Sequence, residues 1–170
     1  MSEFDAFFKT YSQAIWSYLL RLLGDRDRAA DLFQRVFFKA YTHFQGRRST
    51  GGERAWVFTI ATNEARDEVR RRRRDLLRPM ELPEMSSRPE EDPSVAAEDR
   101  ELAREVLRGI AELPHHQREL FLLVRYHGFS FAEAAFLCGV SVSAAKMSVT
   151  RTHAKLLRKL AGRIDLRCLL

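Results

Sequence analysis

Apolar residues recur every three or four positions along most of the chain, as they do on one face of an α-helix, and no stretch alternates for long in the manner of a β-strand. Ser2 is a candidate N-cap for a first helix that stops at Gly24, and Asp25 or Asp27 can cap a second helix. We expect each helix to bury a wide apolar stripe. The first stripe comprises Phe4, Phe7, Phe8, Tyr11, Ile15, Leu19 and Leu22, and the second comprises Ala29, Ala30, Leu32, Phe33, Val36, Phe37, Ala40, Tyr41 and Phe44.

A third predicted helix begins near Arg54, after a glycine-rich and arginine-rich loop from Gln45 to Glu53, and runs into five consecutive arginines, Arg70 to Arg74. An aromatic ring, an amide and several guanidinium groups share one face of this helix. Its members are Trp56, Thr59, Asn63, Arg66, Arg70, Arg73 and Arg74.

Such a face can grip a nucleic-acid strand, since arginine binds phosphate, an aromatic ring stacks on an unpaired base, and an asparagine amide reads a base edge. Other interpretations stay open. Trp56 fits the core equally well, and the arginine run on its own is typical of a solvated helix end or of a localisation or RNA-binding tract.

Two further helices are predicted in the C-terminal part of the chain. Pro114 ends the first of them and Gly128 closes the second. Their apolar positions are Leu102, Val106, Ile110 and Leu113 in the first, and Leu120 to Val124 in the second.

A helix-turn-helix pattern follows. Ser130 and Glu133 have the spacing of a capping box, and Phe129 stands where a hydrophobic staple belongs. Gly139 suits the tight turn, after which Ser141 can cap the last helix. The corner of a plain three-helix bundle is the alternative.

On the last helix we expect a buried stripe and a basic exposed face that can approach the major groove. The stripe comprises Val142, Ala145, Val149, Leu156 and Leu160, and the exposed face comprises Ser143, Ala144, Met147, Ser148, Arg151, Lys155 and Arg158. His153 lies near the buried side, which favours a core histidine, and Cys138 is expected to be buried.

The distribution of charged residues and prolines divides the chain into three parts. Residues 75–98 carry a net charge of −5 and four of the five prolines, whereas residues 1–74 carry +6 and residues 99–170 carry +5. Prolines at this density exclude a regular helix. We therefore expect an all-α protein with two small helical domains, 1–74 and 99–162, joined by a flexible acidic linker, 75–98. The tail 163–170 is either a partner contact or a frayed end.

Net charge, apolar runs and short motifs limit the classes of function that fit the sequence. The net charge of +6 over 170 residues favours a polyanionic partner, either nucleic acid or an anionic membrane. No run approaches the ~20 apolar residues of a membrane span, and residues 1–30 lack a long apolar core behind basic residues, so we expect a cytoplasmic chain without stable membrane insertion. Cys138 and Cys168 have no metal-ligand spacing, and neighbouring His115 and His116 point apart. No phosphate-cradling glycine motif or nucleophile elbow is present, so neither an enzyme, a cofactor nor a metal is expected.

Two segments resemble region two of bacterial sigma factors, namely Asp25 to Tyr41 (DRDRAADLFQRVFFKAY) and Arg54 to Arg70 (RAWVFTIATNEARDEVR). The stretch from Leu113 through Leu120 to Leu156 resembles region four. Order, size and the intervening linker are similar to those of the extracytoplasmic-function (ECF) group.

The resemblance implies a non-catalytic specificity subunit of RNA polymerase. In that family region two binds the clamp helices of the β′ subunit and melts the −10 promoter element, and region four binds the β flap and the −35 element. Carried over by position, the core-polymerase contacts are Asp31, Gln34 and Phe38, although Phe38 fits core packing equally well. The −10 contacts are Trp56, Asn63, Arg66, Arg70, Arg73 and Arg74, with the loop Gln45 to Glu53 holding a flipped base. The −35 contacts are Ser143, Lys146, Met147, Arg151 and Lys155.

The recognition helix departs from the family pattern. Where the family usually has Gly-Thr-Val-Lys-Ser-Arg, residues 143–148 read Ser-Ala-Ala-Lys-Met-Ser, which implies weaker phosphate binding and lets Met147 meet a thymine methyl. The resemblance also implies an anti-sigma factor as partner, one that can hold the protein at the inner membrane. The alternative function is a stand-alone helix-turn-helix regulator, which leaves the face around Trp56 and Asn63 unexplained.

Overall fold

The computed structural model describes residues 2–45, 52–75 and 97–161, and at positions 73–75, 97–103 and 160 it describes the backbone alone. All regular elements in these ranges are helical, which confirms the predicted all-α class. The helices are α1 (Glu3–Leu23), α2 (Arg26–His43), α3 (Gly52–Asp75), α4 (Ala97–Ala111), α5 (His115–Phe121), a π-helical turn (Leu122–Tyr126), α6 (Phe131–Cys138) and α7 (Val142–Ala161).

The chain divides into two compact units, Met1–Ser87 and Arg88–Leu170. The first unit contains α1 to α3 and the second contains α4 to α7, as the two-domain prediction requires. Residues 46–51 of the predicted base-holding loop, 76–96 of the predicted linker and the predicted tail 163–170 lie outside the described residues.

Local caps define the ends of the helices in the first unit. The Ser2 hydroxyl accepts a hydrogen bond from the Asp5 amide (3.1 Å), and the Asp5 carboxylate accepts one from the Ser2 amide (2.7 Å). Gly24 ends α1 in the left-handed conformation (φ 67°), which costs glycine no steric strain. Asp25, rather than Asp27, caps α2 by accepting from the Arg28 amide (3.1 Å).

The first core lies where α1, α2 and α3 pack on one another. Tyr18, which the apolar stripe missed, is fully buried, and its hydroxyl lies 3.5 Å from the Thr62 hydroxyl. Tyr41 was expected in the core but is 65% exposed, because it lies at the solvent edge of the α2 stripe. The buried apolar residues include Ile15, Leu19, Leu22, Leu32, Val36, Val57, Phe58, Ala61 and Ala65.

In the second unit α7 packs against α4, α5 and α6. A Cβ atom on Gly109 would lie 2.7 Å from Leu156 Cδ2, so the α4 backbone passes close to α7. Arg118 donates to the carbonyl oxygens of Ala111 and Leu113 (3.0 Å to Leu113), and thereby closes the turn between α4 and α5. The π-helical turn after α5 was not predicted.

Two expectations for α7 are wrong. Val142 is 48% exposed and His153 is also exposed. Among the described side chains of α7 the buried stripe is Ala145, Val149, Thr152 and Leu156, and the predicted member Leu160 is described by its backbone alone. Val142 and His153 lie roughly 50–70° around the helix axis from the centre of that stripe, which places both outside it. Cys138 is buried as predicted.

Candidate functional site

The exposed side of α2 carries the residues predicted to contact core polymerase. Asp31, Gln34 and Phe38 are all exposed, and Phe38 is 70% exposed, which excludes core packing for it. Tyr41 extends this surface by one turn, and its ring meets Phe4 edge-on with centroids 5.1 Å apart. We call these four residues, Asp31, Gln34, Phe38 and Tyr41, the α2 face. Two exposed aromatic rings side by side are typical of a protein-binding surface.

Those predicted −10 residues whose side chains the structure describes occupy one side of α3. Asn63 and Arg70 are exposed, Arg66 is half-buried, and all three lie on the same side of the helix. Trp56, about two turns before Asn63, is half-buried. Its ring packs on Phe7 and Phe44, with centroid separations of 5.6 and 6.4 Å. We call Trp56, Asn63, Arg66 and Arg70 the α3 face.

Neighbouring arginines of the run Arg70 to Arg74 have different ion-pair partners. Arg70 pairs with the exposed Asp67 (3.3 Å) on the side of the α3 face, whereas Arg71 turns towards α2 and pairs with Glu68 (2.9 Å). The side chains of Arg73 and Arg74 lie outside the described residues. The run is therefore not one uniform basic surface.

An ion-pair network between α2 and α3 was not predicted. Glu64 and Glu68 are only 5% and 6% exposed, and basic residues of α2 surround them. Lys39 binds Glu64, while Arg35 binds Glu68 at 2.9 Å and reaches within 3.9 Å of Glu64. Arg28 lies 3.9 Å from Glu68. We call Glu64, Glu68, Arg28, Arg35, Lys39 and Arg71 the ionic ladder.

The ladder favours the charged form of the Glu68 carboxylate. Burial raises the pKa of Glu68, but the hydrogen bond from Arg35 and the charges of Arg71, Arg35 and Arg28 outweigh burial, so the pKa lies below the ordinary glutamate value. Burial lowers the pKa of the Arg28 guanidinium, and the charge of Arg72 lowers it further. A signal for the ladder exists in the sequence: basic residues at helical spacing in α2 match two glutamates four residues apart in α3.

The helix-turn-helix is held by the predicted caps. The Ser130 hydroxyl accepts from the Glu133 amide (3.2 Å), and the Glu133 carboxylate accepts from the Ser130 amide (2.8 Å). Gly139 turns the chain at φ 64°, and the Ser141 hydroxyl accepts from the Ala144 amide (3.2 Å). The axes of α6 and α7 bend by 104° across this turn, within the ~90–120° of helix-turn-helix motifs.

The exposed row on α7 contains most of the predicted −35 residues. Ser143, Met147, Arg151 and Lys155 are exposed and follow one another at intervals of four, and Met147 is 51% exposed. Lys146 is exposed too, but its side chain leaves the helix about 100° around the axis from Met147. The structure therefore groups four of the five predicted residues. Phe136 on α6, 77% exposed, carried no signal that singled it out in the sequence.

Neither a metal site nor a membrane helix is found in the described ranges. No three His, Cys, Asp or Glu side chains there are grouped as metal ligands. None of the single helices there is long and apolar enough to cross a membrane, and only the sharply bent pair α6 and α7 meets the length and composition requirement when taken together.

Comparison with protein families finds two parts of one class of transcription protein. The model for sigma-70 region 2 matches residues 7–75, and the model for sigma-70 region 4 matches residues 103–156. The ECF RNA polymerase sigma factor EcfG of Rhodopseudomonas palustris (strain TIE-1) is 31% identical over 142 residues, covering 82% of this chain and 75% of the relative. The RNA polymerase sigma factor CarQ of Myxococcus xanthus is 30% identical over 168 residues, covering 96% of this chain and 91% of the relative.

The chain belongs to the ECF family of RNA polymerase sigma factors. Solved structures show the same fold. The sigma factor RpoE in complex with the anti-sigma factor NepR from Bartonella quintana gives a TM-score of 0.84 at 23% identity, covering 96% of this chain and 100% of that one. CnrH in complex with the cytosolic domain of CnrY gives a TM-score of 0.67 at 24% identity, covering 95% of this chain and 89% of that one. The presence of region 2 beside region 4 disfavours the stand-alone regulator.

Proposed function

We propose that this ECF sigma factor binds core RNA polymerase through the α2 face, opens the −10 element with the α3 face and reads the −35 element with α7. The observation that carries the proposal is that two different surfaces lie on neighbouring helices of one unit. One has exposed aromatic rings, and the other has an amide and guanidinium groups. Protein contacts favour the first kind of surface and phosphates the second.

For the polymerase, we assign the α2 face to the β′ clamp helices and the second unit to the β flap. Phe38 and Tyr41 are the anchors, because large exposed rings lose the most water-accessible area on binding. Asp31 and Gln34 add polar contacts beside them.

For the −10 element, Arg66 and Arg70 bind phosphates, Asn63 reads a base edge and the open side of Trp56 stacks on an unpaired base. Unstacking a base costs a few kcal/mol, which these contacts must offset. We include Arg73, Arg74 and the loop Gln45 to Glu53 in this surface by position in the family motif.

For the −35 element, Arg151 and Lys155 neutralise phosphates, while Ser143 and Met147 approach base edges and Met147 meets a thymine methyl. Lys146 lies off this row, so we leave it out of the base-reading set. In this assignment the protein is a non-catalytic subunit that works on cytoplasmic DNA.

An anti-sigma factor is the proposed regulator. Structural neighbours of this chain, RpoE and CnrH, are seen in complex with NepR and with the cytosolic domain of CnrY. We propose that a comparable partner covers the α2 face and thereby blocks the polymerase.

Transcription from a promoter library with purified chain and core polymerase tests the proposal. A sigma factor gives specific start sites without any other subunit, whereas a stand-alone regulator gives none. The variants Arg70→Glu and Arg151→Glu should each reduce initiation, since both reverse a charge that faces phosphate. A chain that never associates with core polymerase, or full activity in the Arg70→Glu, Arg151→Glu double variant, would refute it.

A further inference from the structure

Two buried carboxylates lie between the helix that carries the α2 face and the helix that carries the α3 face. Glu64 and Glu68 are almost fully covered, and burying a carboxylate costs free energy unless cations accompany it. Apart from Arg71, the cations that pair with these carboxylates come from α2, across the contact between the two helices. Apolar side chains alone would bury α3 against α2 at lower cost.

Arg35 links the contact to the polymerase side. Its guanidinium lies 2.9 Å from Glu68 and 3.9 Å from Glu64, yet its side chain stays 41% exposed and directly follows Gln34 of the α2 face. Charge-assisted hydrogen bonds are directional, whereas apolar packing is not. The pair formed by Arg35 and Glu68 therefore fixes the rotation of α3 relative to α2 more tightly than the surrounding alanines and leucines do.

Arg71 links the same carboxylate to the promoter side. Glu68 binds Arg71 at 2.9 Å, one residue after Arg70 of the α3 face. Glu68 is thus bonded to the residue that borders the polymerase-binding surface and to the residue that borders the promoter-binding surface.

The geometry points to Glu68 as a positioning residue for promoter opening. Through Arg35 and Arg71 it holds the α3 face at a set angle to the α2 face, so that polymerase bound on one helix presents the other to the −10 element. This role rests on the proposed function. It predicts that loss of the Glu68 charge impairs opening of duplex DNA far more than polymerase binding.

The test uses holoenzyme made from the full chain and core polymerase, with Glu68→Gln as the variant. The matched control is Glu112→Gln. It also removes one carboxylate and breaks one ion pair, the pair with Lys159, but this pair lies at an exposed site in the second unit. Opening is followed with a fluorescent base analogue in the −10 element, at saturating sigma factor. A parallel promoter carries a pre-opened mismatch bubble.

We expect Glu68→Gln to slow opening of the duplex promoter roughly tenfold, as disruption of a coupled network does, with polymerase affinity within about threefold of wild type. Transcription from the pre-opened promoter and the behaviour of Glu112→Gln should match wild type. A variant that had simply lost its fold would fail on both templates. Wild-type opening by a folded Glu68→Gln protein would overturn the inference.

A second variant covers the case in which Glu68→Gln does not fold. Arg35→Gln leaves Glu68 charged with Arg28 and Arg71 as counter-ions, so the fold survives, and duplex opening should again slow. In a double-mutant cycle, the combined variant should be no slower than the slower single variant. Effects that multiply independently, or an Arg35→Gln protein that opens DNA at the wild-type rate, would overturn the inference. A wild-type chain that neither binds core polymerase nor initiates would instead refute the proposed function.

Discussion

Two neighbouring phenylalanines on α2 allow a sharp test of the proposed polymerase-binding surface. Phe37 is 6% exposed and Phe38 is 70% exposed, although both have the same side chain on the same helix. Phe38→Ala should therefore weaken polymerase binding without affecting the fold. Phe37→Ala should do the reverse.

The size of the Phe38 effect follows from the area that a partner can cover. A phenylalanine contributes ~200 Å², of which 70% is open here, so a partner removes about 140 Å² from water. At ~25 cal/mol per Å² this amounts to about 3.5 kcal/mol, and alanine retains part of it. We expect a loss of ~2 kcal/mol, which is roughly thirtyfold in Kd.

The assay combines binding and unfolding. Titration of core polymerase with labelled chain gives the Kd, and urea denaturation gives the free energy of unfolding. Phe38→Ala should leave the unfolding free energy within about 0.5 kcal/mol of wild type, whereas Phe37→Ala should lose ~3–5 kcal/mol. If Phe38→Ala binds polymerase as tightly as wild type, the α2 face is not the polymerase surface and the reasoning fails.

Three further outcomes are expected. The pKa of Glu68 is lowered in the folded state, so the Glu68 carboxylate stabilises the fold above the unfolded pKa of ~4.3, and this stabilisation is lost as the pH falls through the folded pKa. In urea denaturation from neutral to acid pH, the free energy of unfolding should therefore fall less steeply in Glu68→Gln than in wild type. Ser130→Ala removes the capping box and should lower the unfolding free energy of the second unit by ~1 kcal/mol in the same assay, while Ser130→Thr should retain most of it. Arg151→Ala should reduce the slope of log affinity for −35 duplex against log salt by about 1, and Lys159→Ala, whose ammonium already binds Glu112, should not.

The helix ends could be predicted because their causes are local. A serine or aspartate that accepts from an amide three residues later needs only its own segment, and Ser2, Asp25, Ser130 and Ser141 all do so. The left-handed glycines after α1 and α6 follow from the same local rule. These caps set where α1, α2, α6 and α7 begin, which is why the order of these helices was also predictable.

Pairings between helices could not be predicted in the same way. Periodicity states which side of a helix is apolar, but the partner of a charged residue at the edge of that side depends on how two helices pack. The spacing of Glu64 and Glu68 matches that of basic residues in α2, but only the packing of the two helices shows that α2 covers both carboxylates and supplies their cations. The exposure of Tyr41 has the same origin, since a wide stripe extends past the edge of the contact.

Trp56 illustrates why core and functional interpretations of one residue need not exclude each other. Its ring packs on Phe7 and Phe44, and Phe44 is the last described aromatic before the loop predicted to hold a flipped base. A ring already fixed on one side loses little conformational entropy when a base stacks on the other, so packing strengthens binding instead of competing with it. The same reasoning underlies the role proposed for the ionic ladder, in which groups that hold α3 in place also set the angle at which its exposed side is presented to DNA.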